Sequence, residues 1–275
     1  MSECNHDCSN CDKECDVPQK DKPHEMSNIK RVIAVVSGKG GVGKSAVTAL
    51  LATAMSRKGY SCAVLDADIT GASIPKMFGV YGEVKGEETG IFPAETPKGL
   101  KIMSCNLLLE NETDPVVWRG PIIAGMVKQF WTDVIWGDVD YMFVDCPPGT
   151  GDVPLTVFQS VKVDGIVVVA TPQELVSMIV EKAVKMANMM NIPILGIVEN
   201  MSYATCPHCG ERLNIYGESK TAVIAQKFGL PLLAEIPHDG KIVAAADSGK
   251  FEELSEGYLD AAVDILESGL PTSHD

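Results

Sequence analysis

RVIAVVSGKGGVGKS (31–45) is the stretch that decides the fold. Its first half, Arg31 to Ser37, is short, apolar and rich in β-branched residues, which reads as a strand buried on both faces. The second half follows without a linker and matches G-x-x-x-x-G-K-[ST]. The chemistry of that spacing is specific. Glycines let successive backbone N–H groups turn inward around phosphate oxygens. The N-terminus of the helix that must follow adds its partial positive charge. Lys44 is placed to reach β- and γ-phosphates and Ser45 to bind Mg²⁺. Gly38, Lys39, Gly40, Gly41, Val42, Gly43, Lys44, Ser45 and Ala46 are therefore the expected phosphate cradle.

The pattern of the first strand recurs outward along the chain. Apolar runs lie at 62–68, 141–147, 165–172, 194–200 and 231–237, separated by helical stretches near 44–58, 119–135, 174–190, 239–248 and 253–267. Strands apolar on both faces and separated by helices imply a mostly parallel, doubly wound α/β sheet. Such sheets hold ligands just beyond the C-terminal ends of their strands. Residues 80–99, rich in Gly, Glu and Pro, read as a β-containing excursion. The expected organisation is a Cys-rich tail over 1–28, metal-binding or disordered, and one ATPase domain over 29–270.

The chain of 275 residues is 45% hydrophobic, enough for one large core, and carries a net charge of −14. An acidic surface disfavours nucleic acid and anionic membranes as partners. No apolar run approaches the roughly 18–20 residues that span a bilayer, and the polar start is not a secretory signal, so a cytoplasmic location is expected.

The residues after each strand carry the remaining chemistry. Asp66 and Asp68 close the second strand, where carboxylates can orient water and metal near a γ-phosphate. Asp145 ends YMFVD (141–145), the position from which a carboxylate holds Mg²⁺ beside a phosphate loop. The run Pro147-Pro148-Gly149-Thr150-Gly151 after it reads as a switch responsive to the γ-phosphate.

Nine cysteines are many for a reducing compartment, where clusters point to metal or redox chemistry. Cys206-Pro207-His208-Cys209-Gly210 is a turn that aims two sulfurs at one centre. Zinc and four-iron clusters each want four ligands, and two copies of the chain on a two-fold axis supply them. A shared iron–sulfur cluster, a shared zinc, a redox dithiol and a plain surface turn all fit the spacing. In the tail, Cys4, Cys8, Cys11 and Cys15 can wrap one iron–sulfur or zinc centre, with His6 as a further zinc donor. Cys62, Cys105 and Cys146, within or beside apolar strands, read as packing.

With Lys39, the loop reads GKGGVGKS. Together with the segment from Asp66 to Pro75, DCPPGTGD (145–152), VENMS (198–202) and CPHCG (206–210), it resembles the Mrp/ApbC/Nbp-type ATPases, iron–sulfur cluster carriers of the deviant Walker A group that includes MinD, ParA and nitrogenase iron protein. The match spans about 31–260. The resemblance implies that Lys39 reaches across a homodimer to the partner's nucleotide and, with Lys44, serves catalysis. It implies that Asp68 positions the attacking water, that Asp66 supports Mg²⁺ or the loop, and that Asn200, Pro237 and Asp239 clasp the adenine of ATP. It further implies a [4Fe–4S] cluster on the shared Cys206 and Cys209, passed to apo iron–sulfur proteins, with slow ATP hydrolysis. Two other members of the group set the alternatives. A ParA/MinD-like positioning ATPase with a structural zinc needs a basic amphipathic helix or a DNA-binding surface, and the acidic C-terminal segment argues against both. An electron donor like nitrogenase iron protein does not pair its cysteines as C-x-x-C.

Overall fold

The computed structural model describes residues 20–69, 71–82, 84, 86–87, 90–109, 120–149, 151–172 and 176–269. Cys4, Cys8, Cys11 and Cys15, and Thr150 of the switch, lie outside the described residues. Strand β1 (Asn28–Ser37) runs straight into the glycine loop, and helix α1 (Lys44–Arg57) leaves it. Strand β2 (Cys62–Asp66) and the short helix α2 (Ile74–Met77) follow. The excursion holds β3 (Gly86–Glu87), β4 (Gly90–Ile91) and β5 (Ala94–Glu95), then β6 (Lys101–Ser104). Helix α3 (Gly120–Thr132), β7 (Asp138–Asp145), α4 (Asp152–Ser160), β8 (Gly165–Ala170), α5 (Val176–Met189) and β9 (Ile194–Glu199) form the middle of the chain. A small hairpin, β10 (Ala204–Thr205) and β11 (Arg212–Leu213), precedes α6 (Thr221–Lys227), β12 (Leu232–Glu235), α7 (Gly240–Ser248) and α8 (Asp260–Gly269).

Eight strands form one sheet in the order β12-β9-β8-β1-β7-β2-β6-β5. All neighbours are parallel except β5 against β6. The strand period of two explains the double winding. Val32, Ala34 and Val36 point into a core shared with Phe130 and Trp131 of α3, Phe158 of α4 and Val180 of α5. Ile33 and Val35 point the other way, to Leu51 and Met55 of α1, Phe251, and Val263 of α8. Among the described residues, no helix is long and apolar enough to cross a membrane.

Several elements differ from the sequence expectation. The last helix was expected from 253; instead Phe251–Glu253 is a 3₁₀ turn and α8 starts at Asp260. Arg57 on α1 takes the Leu254 carbonyl at 2.7 Å, and Phe251, Leu254 and Leu259 are buried, so the linker is pinned flat against the core. Helix α4, which the sequence did not mark, opens directly after the run read as a switch, with Pro154 in its first turn, where proline is tolerated. At the N-terminal end, Asp21 is held by Lys128 at 2.9 Å and accepts at its carbonyl from the Trp131 indole at 2.8 Å, which lays residues 20–27 against the domain.

Helices α2 and α7 meet at a glycine pair. Gly79 and Gly249 both have positive φ, 64° and 70°, and a Cβ on Gly249 would stand 2.7 Å from the Gly79 Cα. Only glycine permits that approach, which brings Met77 opposite Ala246 across a cleft described below. Gly249→Ala is expected to cost at least about 2 kcal/mol, from a left-handed conformation plus a backbone collision. Urea denaturation checks this; an unchanged midpoint would contradict the close approach.

Candidate functional site

The site grows from register. Asp145 at the end of β7 pairs with Val35 on β1 and Asp66 on β2, and Asp66 pairs with Ser104 on β6. Three polar side chains are thus lined up on the C-terminal edge of adjacent strands, beside the glycine loop. Asp145 is fully buried. Its carboxylate accepts from the Ser45 hydroxyl at 2.6 Å and the Thr48 hydroxyl at 2.8 Å, and pairs with the Lys44 ammonium at 2.7 Å. A buried charge needs such partners. Thr48 escaped the sequence reading, although its position four residues after Lys44 puts it on the same helix face.

Burial alone lowers the Lys44 pKa; Asp145 first, then Asp68 and Asp66, outweigh it and hold the ammonium above its ordinary range. Asp68 lies 3.7 Å from Lys44 and is half-buried at the mouth of the loop. Asp66 faces inward. It accepts from Ser104 Oγ at 3.1 Å and from the backbone N–H groups of Asp68 at 3.2 Å and Ile74 at 3.4 Å, so it organises the 66–74 turn. Burial, then the charge of Asp145, pushes its carboxyl up to about 8 against the pull of Lys44. Ser45 and Asp145, hard oxygen donors side by side at a helix N-terminus, form a set that fits Mg²⁺, with Asp66 behind them.

Gly43, with φ 75°, opens α1. The Asn200 amide donates to the Val42 carbonyl at 2.9 Å, and a Cβ on Gly43 would come within 2.2 Å of that amide nitrogen. The end of β9 therefore rests directly on the phosphate loop. Lys39 lines the cradle, and its carbonyl accepts from the Ser37 hydroxyl at 3.0 Å. A largely apolar cleft continues from the cradle, with Gly43, Ala46 and Met77 common to both. Asn200, Pro237 and Asp239 line it together with Met201 and Ile242. Asp239 also caps α7, accepting from the Lys241 N–H at 2.9 Å and the Tyr258 hydroxyl at 2.7 Å. Burial opposes its charge, yet those donors hold it below the usual carboxylate range.

Cys206 and Cys209 stand apart from this cleft, on the turn between β10 and β11. The turn is closed by Cys206 N–H to the Glu211 carbonyl and Gly210 N–H to the Cys206 carbonyl, both at 2.9 Å. Gly210 takes φ 75°. Backbone N–H groups of Cys209 and His208, then the Cys209 thiol, bond the Cys206 sulfur and lower its pKa, which favours the thiolate that binds metal. Cys206 is half-buried and Cys209 exposed, whereas Cys62, Cys105 and Cys146 are buried packing residues as expected. Leu213, Ile215 and Tyr216, beside the turn, are exposed.

Residues 28–267 match the family model of the NUBPL iron-transfer P-loop NTPases within the ParA group. The chain belongs to that family. Among its relatives, the iron-sulfur cluster carrier protein of Clostridium perfringens is 43% identical over 264 residues, covering 90% of this chain and 92% of the relative. The cytosolic Fe-S cluster assembly factor CFD1 of Kluyveromyces lactis is 39% identical, covering 89% and 90%. A solved nucleotide-binding protein from Archaeoglobus fulgidus, in complex with ADP, superposes with a TM-score of 0.76 at 45% identity, covering 84% of this chain and 90% of that one. This member of the iron-transfer NTPase family therefore shares its fold with a nucleotide-bound relative.

The raised Asp66 carboxyl fixes a sign. Between the ordinary carboxylate range and about 8, the folded protein keeps a proton that the unfolded chain has released, so stability falls as pH rises through that window. Asp66→Asn is expected to remove this part of the slope of the urea midpoint. An identical slope in the variant would contradict it.

Proposed function

We propose that the protein is an ATP-dependent iron–sulfur cluster carrier. It binds a [4Fe–4S] cluster as cargo between two copies of the chain and hands it to apo iron–sulfur proteins, with slow ATP hydrolysis. The observation that carries this is the Cys206–Cys209 turn, a half-buried and an exposed thiol on one tight turn, where backbone N–H groups bond the first sulfur and lower its pKa. One chain brings two sulfurs there, and a cluster of this class takes four. A second copy related by a two-fold axis completes the set. The exposed Leu213, Ile215 and Tyr216 give that copy apolar surface to cover. The names of the relatives, cluster carrier and cluster assembly factor, agree with the reading.

The nucleotide end follows the same reading. Lys44 and the loop N–H groups hold the phosphates, and Asn200, Pro237 and Asp239 border the adenine. Ser45 and Asp145 hold Mg²⁺, with Asp66 in support; the ion supplies positive charge against the β- and γ-phosphates. Asp68, close to Lys44, positions the attacking water. Lys39 reaches the partner's nucleotide, so that ATP draws the two chains together. Cys4, Cys8, Cys11 and Cys15 of the 1–28 tail hold a second iron–sulfur or zinc centre. The protein works in the cytoplasm, and its net charge of −14 sets it against nucleic acid and anionic membranes.

Two variants test this. Lys39→Ala is expected to keep ADP binding and to lose at least about tenfold in ATP hydrolysis, a conservative floor beside the roughly 10³-fold or more that a charge supplied in trans contributes to phosphoryl transfer. Unchanged steady-state hydrolysis would contradict the trans role. Cys206→Ala with Cys209→Ala is expected to lose the iron and sulfide of the bridging site after anaerobic reconstitution, while hydrolysis persists. Zinc in place of iron at this pair in the wild-type protein would favour a positioning ATPase with a structural metal instead.

A further inference from the structure

Glu199, the last residue of β9, is fully buried, and the site as described makes no use of it. Its carboxylate accepts from the Ser202 hydroxyl at 2.5 Å on one oxygen and from the Ser219 hydroxyl on the other. Ser219 in turn accepts from the N–H of Thr221 at 3.1 Å, the first residue of α6. Ser202 and Ser219 flank the whole excursion that carries Cys206 and Cys209. One carboxylate therefore holds both feet of the cysteine hairpin. On the other side, Asn200 is its chain neighbour, and the Asn200 amide rests on the Val42 carbonyl of the phosphate loop at 2.9 Å. A second tie runs in parallel: the His238 N–H, at the rim of the base cleft, donates to the Tyr203 carbonyl at 2.7 Å.

We infer that Glu199 is a positioning residue that couples nucleotide occupancy of the Asn200 cleft to the geometry of the Cys206–Cys209 turn. The inference rests on the proposed reading of that cleft as the base site and of those thiols as the cargo site. The physical reason is the cost of leaving a buried acceptor unpaired. A carboxylate with no water to turn to cannot release one hydroxyl cheaply, so Ser202 and Ser219 must follow Glu199 when it moves. Five residues lie between Asn200 and Cys206. A shift of Asn200 as adenine enters thus reaches the hairpin through two stems at once rather than through one flexible strand. Without the clamp, the hairpin would be tied to the domain by the Ser202 N–H on the Ile236 carbonyl at 2.8 Å, by Tyr203, and by the exposed Arg212–Glu235 ion pair at 3.8 Å.

The test reads the thiols themselves and needs no cluster. The full-length reduced protein, free of metal, is alkylated with iodoacetamide, and the rates at Cys206 and Cys209 are followed by peptide mass spectrometry. Each rate is measured without nucleotide, with Mg·ADP, and with a non-hydrolysable ATP analogue. In the wild-type chain, nucleotide is expected to change the rate at Cys206 by about fivefold, the low end of ordinary coupling between sites. In Glu199→Gln and in the milder Ser219→Ala, the ratio is expected to fall to about one while ADP affinity holds, and Ser219→Thr should restore it. A Glu199→Gln chain with faster alkylation in every state but the wild-type ratio would show a purely structural role and overturn the inference. A wild-type ratio of one would overturn it as well. Failure to load iron and sulfide with the thiol ratio intact would strike the cargo reading alone and support the coupling.

Discussion

A carboxylate at the buried end of a strand needs close partners, and Asp145 organises its neighbourhood by that need. Lys44, Ser45 and Thr48 converge on its two oxygens from the first turns of α1. This fixes the helix against β7 at the point where the glycine loop must turn. It also sets the lysine at the floor of the glycine cradle and places two hard oxygens side by side, a pair that fits Mg²⁺. Asp66, one strand further on, carries the opposite consequence of the same burial. With Asp145 already charged beside it, its carboxyl holds its proton to about 8 and serves the 66–74 turn through hydrogen bonds.

From this corner the molecule extends in two directions. Toward α7, the close contact of Gly79 and Gly249 shapes an apolar cleft bordered by Pro237 and Asp239. Toward the β10–β11 hairpin, the end of β9 changes role within two residues: Glu199 holds the hairpin feet and Asn200 rests on the phosphate loop. In the proposed reading, the nucleotide end and the thiol end meet at this strand end, through the hydrogen bonds of Glu199 and Asn200. A carrier needs such a joint, because the energy of binding or splitting ATP acts on cargo only if the cargo site differs between nucleotide states.

Much of this was legible in the sequence because the strongest signals were covalent neighbours. The glycine loop lies directly after β1, and apolar runs such as GIVVVA (165–170) are buried on both faces, as a parallel sheet requires. Asp145 follows its strand without a gap, and the two cysteines share one turn. Signals that depend on packing were hidden. Thr48 reads as an ordinary helical residue until register brings Asp145 beneath it. Ser104 ends a strand of four residues, too short to stand out as a period. Helix α4 was masked by the Pro-Gly run before it, and the start of α8 was displaced by Arg57, a residue far away in sequence, capturing Leu254. Glu199 read as one more residue of a buried strand, since nothing local marks its two serine partners.

The central claim is that cargo is shared: neither chain alone completes the ligand set. Native mass spectrometry of mixed dimers tests this most directly. Wild-type chains and chains carrying Cys206→Ala and Cys209→Ala, both with the tail cysteines replaced by serine and the two distinguishable by mass, are mixed, allowed to exchange and reconstituted anaerobically. The account expects a [4Fe–4S] cluster only on dimers of two wild-type chains, with mixed dimers and monomers empty. A cluster on monomers, or on mixed dimers at the wild-type level, would contradict it.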